Sequence, residues 1–241
     1  MKIIEKIKEK KMHRSSADSV TVVCLGDSVT EGCFEAYIDE NGNVATVFER
    51  NRSYAERLRE LLNRVYPTVQ VNIVNSGVSG DSASGGLRRL SRDVLRFQPD
   101  LVVVSYGLND CCGGREGLPA YESALSEIFE KVTESGAEVI FLTQNCMCTG
   151  ISPHLGKEKL NEVAAWLSER QCGGILDLYF DKAKEVAARY GVKVCDLYPL
   201  WKAMQDGGVN VTELLSNKLN HPSREYHSYI AVKLFETMMS C

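Results

Sequence analysis

The sequence predicts a three-layer α/β/α sandwich around a central five-stranded parallel sheet. Short, largely apolar runs recur at Val20–Leu25, Val69–Val74, Leu101–Val104, Glu138–Leu142 and Val192–Cys195. Each has the length and composition of a strand covered on both faces. Helical patterns lie between them, and strand–helix–strand repetition calls for parallel pairing through helical crossovers. At 241 residues the chain can bury a sizeable core. Nothing in it reads as an internal repeat, a low-complexity tract or a linker. We therefore expect an N-terminal extension, residues 1–18, followed by one domain over 19–241.

The elements follow in order. Met1 to Lys11 sets Ile3, Ile4 and Ile7 among lysines, which suits a surface helix or a frayed extension. The run from Val20 breaks at Gly26 and delivers Asp27 and Ser28 into a loop. Between Cys33 and Arg50, Asn41-Gly42 sits between β-formers, a type I′ hairpin signal. That hairpin could wall the site or serve as the arm of a homo-oligomer. Ser53 and Glu56 form a capping box ahead of Leu58, Leu61, Leu62 and Val65, and Pro67 marks the end of that helix. Leu87, Leu90, Val94 and Phe97 give the next stripe, stopped before Pro99. Tyr121, Leu125, Ile128, Phe129 and Val132 give a third, with Gly136 as its C-terminal cap. Leu160, Val163, Ala164 and Leu167 mark a fourth helix. Ile175, Leu178, Tyr179 and Val186 mark a fifth, closed by Gly191. A last helix is expected from about Ser223 to Met238, with Ile230, Leu234 and Met238 facing in.

Composition narrows the function. A net charge of -4 gives no electrostatic reason to expect a nucleic-acid partner. No apolar run is long enough to span a membrane, and the N-terminus has no apolar core of a secretory signal. The nine cysteines include no C-x-x-C, and Cys146-Met147-Cys148 is too tight for a zinc half-site. Reduced thiols in a cytoplasmic protein, with no metal and no cofactor, are the expectation. No P-loop lysine motif, no G-x-G-x-x-G after a strand and no G-x-S-x-G elbow occurs.

Three strands are followed by loops with chemically useful residues. These are Gly26-Asp27-Ser28, then Asn75 through Ser82, then Gly107-Leu108-Asn109-Asp110. In a parallel sheet they share one edge, where the chemistry of such folds gathers. Asn220-His221-Pro222, just before the last helix, can join them. A serine, exposed backbone N–H groups, a side-chain amide and a histidine are the parts of an acyl-transfer site.

With these blocks in order, the chain resembles the SGNH (GDSL-type) hydrolases, a flavodoxin-like fold. Gly26-Asp27-Ser28 matches the family's first block, with Val29 where leucine is usual. Asn75 through Gly80 matches the second, Gly107-Leu108-Asn109-Asp110 its Gly-x-Asn-Asp, and His221-Pro222 the last. The resemblance covers about residues 20 to 235. It implies an esterase acting on a small acyl-ester substrate. Ser28 would be the nucleophile and His221 the general base. The N–H groups of Ser28 and Gly80 and the amide of Asn109 would form the oxyanion hole. The hairpin after Ser28 narrows the expectation to short acyl chains.

One position departs from the pattern. The family carries Asp three residues before the histidine, and here that residue is Lys218. An ammonium cannot accept the imidazole N–H, and losing the acid of a serine-protease triad costs on the order of 10⁴ in turnover. We expect a Ser28–His221 dyad in which His221 is held by a main-chain carbonyl near Lys218, or by Asn217 or Glu213. The alternative is an esterase-like ligand-binding module with weak or no turnover. His227, Asp27 and Asp110 are expected to be structural.

Overall fold

The computed structural model describes residues 1–240. Its sheet is built from β1 (Val20–Gly26), β4 (Val71–Gly77), β5 (Leu101–Ser105), β6 (Glu138–Leu142) and β7 (Lys193–Cys195) in the order β4-β1-β5-β6-β7. Every pairing is parallel. This is the expected five-stranded sheet, and its strand order reverses direction about β1. Side chains alternate along β1 between two apolar layers. Val23 and Leu25 join Val102, Val104 and Phe141 on one face; Val22 and Cys24 join Leu101, Val103 and Ile140 on the other. Both faces are therefore dry, which is why the strands read as continuous apolar runs.

Helices α4 (Ala83–Asp93), α5 (Leu118–Glu134), α6 (Glu158–Cys172) and α7 (Ile175–Arg189) put side chains into the first layer, together with α8 (Tyr198–Asp206). The second layer is covered by α1 (Lys2–Met12), α3 (Tyr54–Val65) and α9 (Arg224–Met239). The N-terminal helix is docked rather than frayed. Ile3, Ile4 and Ile7 are buried with Val20 and Val22. The carboxylate of Glu138 accepts the free N–H groups of Lys2 and Ile3 at 2.9 and 2.7 Å, so a sheet residue caps the helix. None of the described helices is long and apolar enough to cross a membrane.

The hairpin is present, but its turn differs from the Asn-Gly expectation. β2 (Cys33–Ile38) pairs antiparallel with β3 (Val44–Phe48) as a separate two-stranded sheet. The connection spans residues 39–43. Gly42 N–H donates to Asp39 O at 3.0 Å, and only Gly42 there is left-handed, at φ +76°. A type I′ turn needs two such residues. Asp39 Oδ1 takes the N–H groups of Asn41 and Asn43 instead, stabilising a longer loop.

Candidate active site

The register of the sheet sets the first two loops at one height. Gly26 on β1 stands opposite both Gly77 on β4 and Ser105 on β5. Immediately past Gly26, Asp27 N-caps the one-turn helix α2 (Ser28–Glu31), its Oδ1 accepting Val29 N–H at 3.0 Å. This cap fixes Ser28 at the first position of the helix, at the carboxyl edge of the sheet.

The second loop lies directly against that turn. A Cβ on Gly77 would come within 2.2 Å of Glu31 N, so only glycine lets the two segments meet. Asn75 Nδ2 donates to Thr30 O at 2.8 Å, and its Oδ1 accepts Gly77 N–H at 3.0 Å. Glu31, held by Arg50, accepts Ser79 N–H at 2.7 Å. These bonds carry the chain to Gly80, whose φ of +76° is left-handed and turns the backbone there. Among the described residues, neither Ser28 N–H nor Gly80 N–H donates to a protein acceptor.

The third loop contributes Asn109. Its Nδ2 donates to Asp81 O at 2.8 Å and reaches Asp27 Oδ2 only at 3.5 Å, a long contact that a closer acceptor can displace. Beneath it lies a brace that sequence reasoning missed. Gln144 accepts Leu108 N–H at 3.1 Å and donates to both oxygens of Asp27 at 2.9 Å, tying the first, third and fourth post-strand loops together. Asp27 is fully buried, and burial pushes its carboxyl up to about 6 against the opposing hydrogen bonds of Gln144 and Val29. Asp110 accepts Ala83 N–H at 2.9 Å, and burial pushes it up to about 7. Both aspartates brace loops, as expected from the sequence.

His221 meets Ser28 across the chain. Its Nε2 lies 3.0 Å from Ser28 Oγ, and both residues are buried. The acceptor for the other ring nitrogen is Phe34 O, 2.9 Å from Nδ1. A carbonyl can only accept, so Nδ1 carries the proton and Nε2 keeps its lone pair toward the hydroxyl. Burial pulls the imidazole down to about 4, opposed by the Phe34 carbonyl and the Glu35 carboxylate. The ring is therefore neutral near neutral pH, in the tautomer that can take a proton from Ser28.

The expected orienting groups lie elsewhere. Asn217 Oδ1 accepts the N–H groups of Leu219, Asn220 and His221 at 2.8 to 3.0 Å, so it shapes the loop and never reaches the ring nitrogens. Glu213 accepts Ser152 Oγ–H at 2.6 Å and pairs with Lys218 Nζ at 3.3 Å. Lys218 adopts φ +57° and donates to Glu213 O, turned onto that partner. The carbonyl that holds His221 belongs to the hairpin, not to the segment around Lys218. No side-chain signal could have found it, because every residue carries a carbonyl.

His227 lies on the inward face of α9, a structural position as expected. It is fully buried, accepts Tyr54 N–H on Nδ1 at 2.9 Å and packs its ring 5.0 Å from that of Phe34. Its spacing of three, four and seven residues from Ile230, Ala231 and Leu234 was a legible signal of the inward face.

A parallel three-layer sandwich with these loops gathered at the carboxyl edge of its sheet is the SGNH-type esterase architecture. Solved structures share the fold. An acetyl xylan esterase (AlAXEase) superposes with a TM-score of 0.66 at 18% identity, covering 91% of this chain and 100% of that one. The lipase/acylhydrolase from Enterococcus faecalis gives 0.63 at 21% identity, covering 91% and 95%. The chain belongs to the GDSL-like Lipase/Acylhydrolase family, whose model matches residues 24–228. It is 34% identical over 89 residues to an arylesterase of Vibrio mimicus, a match covering 36% of this chain and 40% of that protein. It is 31% identical over 86 residues to an acetylxylan esterase of Geobacillus stearothermophilus, covering 36% and 37%. The matched segments thus span well under half the length of these curated relatives.

Proposed function

We propose that the protein is a serine-dependent esterase that hydrolyses short-chain acyl esters through an acyl-enzyme. The observation that carries this reading is the 3.0 Å contact between Ser28 Oγ and a His221 imidazole fixed as the Nδ1–H tautomer. Ser28 Oγ attacks the acyl carbon as Nε2 takes its proton. The oxygen of the tetrahedral intermediate becomes negative and is received by Ser28 N–H, Gly80 N–H and Asn109 Nδ2. Collapse expels the alcohol, protonated by the imidazolium, and leaves the acyl group on Ser28. A water molecule then attacks that ester, His221 takes its proton, and the carboxylic acid leaves as Ser28 recovers its hydrogen.

A neutral carbonyl in place of the family's aspartate changes the energetics more than the geometry. It selects the same tautomer and ring orientation, but it stabilises the imidazolium less than a carboxylate would. The Glu35 carboxylate supplies part of the missing field. The short-chain preference is supported by the names of the relatives, an arylesterase and an acetylxylan esterase.

The test is a panel of p-nitrophenyl esters graded by chain length, run beside fluorophosphonate labelling. Turnover of acetyl and butyryl esters and labelling of Ser28, both abolished in Ser28→Ala, are expected. A preference for long chains overturns the substrate class. An unlabelled wild-type Ser28 with no turnover overturns the esterase reading in favour of a binding module.

A further inference from the structure

We propose that Arg224 is the positioning residue that replaces the missing aspartate indirectly, by clamping the hairpin so that Phe34 O stays aimed at His221 Nδ1. The inference rests on the esterase reading above and deepens it.

The carbonyl of Phe34 is available because the hairpin ladder is broken there. Cys33 pairs with Phe48 and Ala36 with Thr46, so Phe34 and Glu35 together oppose the single Val47. Such a bulge frees backbone groups from the ladder and re-aims them. A bulge in a two-stranded sheet is also easily deformed, since only one neighbour holds it. Some other contact must fix it.

That contact is Arg224. It begins α9, three residues after His221, so it shares the histidine's own segment. Its Nη1 and Nη2 form a two-pronged pair with the Glu35 carboxylate at 2.6 and 2.9 Å. Its Nε donates to Glu49 Oε2 at 3.0 Å, and Nη2 also reaches Glu49 Oε1. The guanidinium plane covers the Phe34 ring, 4.3 Å from its centroid. Glu35 sits in the bulge and Glu49 just past β3, where its N–H donates to Gly32 O at 2.8 Å. One side chain therefore grips both strands of the hairpin and the residue whose carbonyl orients the base. These four hydrogen bonds leave Arg224 little donor capacity for a substrate.

The test compares Arg224→Gln, Arg224→Lys and Glu35→Gln with the wild type. Readouts are kcat and KM for p-nitrophenyl acetate, the thermal midpoint, and the His221 Nδ1–H signal in proton NMR of protein labelled with ¹⁵N-histidine. In Arg224→Gln, kcat falls about 10²-fold with KM within about twofold, and the Nδ1–H signal shifts or broadens by exchange. Arg224→Lys recovers only a minor part, because an ammonium cannot make the fork. Glu35→Gln, which leaves the Glu49 grip, gives an intermediate loss and carries the test should Arg224→Gln fail to fold. Unchanged kcat with an unchanged Nδ1–H signal in either variant overturns the proposal, as does a rise in KM alone. Absence of wild-type turnover refutes the esterase reading instead, and the NMR signal still decides whether Arg224 positions the ring.

Discussion

The imidazole of His221 donates its Nδ1 proton to the main-chain carbonyl of Phe34, 2.9 Å away, although the two residues stand 187 positions apart. The segment where a carboxylate would be expected carries Lys218 on a left-handed residue, paired with Glu213. The acceptor lies in the β2–β3 hairpin and not in the histidine's own loop.

This placement predicts the outcome of a restoration experiment. Lys218→Asp puts back the acid, but Nδ1 already has its acceptor, and residue 218 is turned toward Glu213. We expect kcat/KM within about threefold of wild type, well short of the ~10⁴ that an acid contributes where it is the ring's sole partner. The thermal midpoint should drop slightly, as a half-buried ion pair is exchanged for facing carboxylates. A large gain in kcat would show that the carbonyl is a poor substitute and that the Lys218 loop can reorganise.

The pH profile follows from burial. The catalytic proposal needs neutral His221, and burial lowers its ionisation from 6.5 to about 4. Activity is lost as pH falls through the value at which the imidazole takes up a proton. The acid limb of kcat/KM is therefore expected near pH 4, with a plateau across neutral pH. Steady-state assays between about pH 3.5 and 8 check it, provided the fold persists. An inflection near the ordinary histidine value would mean that the ring is solvated in solution.

Much of this site was legible before any coordinates. The residues proposed for the chemistry, Ser28, Gly80, Asn109 and His221, stand out through their side chains or a glycine's conformation, and the first three lie in loops that follow unmistakable apolar strand runs. The parallel five-stranded sheet followed from the same alternation, whereas its strand order came only with the structure. What escaped was tertiary. Phe34 acts through an atom common to all residues, and Gln144 reads as an ordinary loop glutamine until Asp27 is placed beside it. The pairing of Arg224 with Glu35 and Glu49 spans more than 170 residues of sequence. Ile3, Ile4 and Ile7 formed a stripe too short to outweigh the surrounding lysines, yet it docks because the sheet offers an uncovered apolar strip.

Asn109 tests the oxyanion assignment separately from the base. One of its N–H groups is fixed on Asp81 O; the other has only the 3.5 Å contact with Asp27. Asn109→Ala should lower kcat by about 10²–10³-fold with little change in KM, the signature of an interaction made in the transition state. Fluorophosphonate labelling should slow but persist, since Ser28 and His221 keep their contact. An unaltered kcat would remove Asn109 from the oxyanion hole and leave it as a brace for the Asp81 loop.

His227 separates stability from chemistry. It is fully buried, takes Tyr54 N–H at the start of α3 and backs the Phe34 ring. His227→Ala leaves that N–H without an acceptor and opens a cavity, which together should cost about 2–4 kcal/mol. At this chain length the thermal midpoint then falls by roughly 5–15 °C. The sign of the pH effect is a second check. Burial holds folded His227 down at about 3, against 6.5 when exposed. Between those values the unfolded chain binds a proton that the folded chain does not, so wild-type stability falls as pH drops through that window. His221 contributes the same sign, and the raised carboxyls of Asp27 and Asp110 the opposite one, but all three are common to both proteins. The stability of His227→Ala should therefore decline less steeply than wild type between about pH 6.5 and 4 in urea titrations. Equal slopes would show that His227 reaches water in the folded protein and contributes no buried, neutral imidazole to the core.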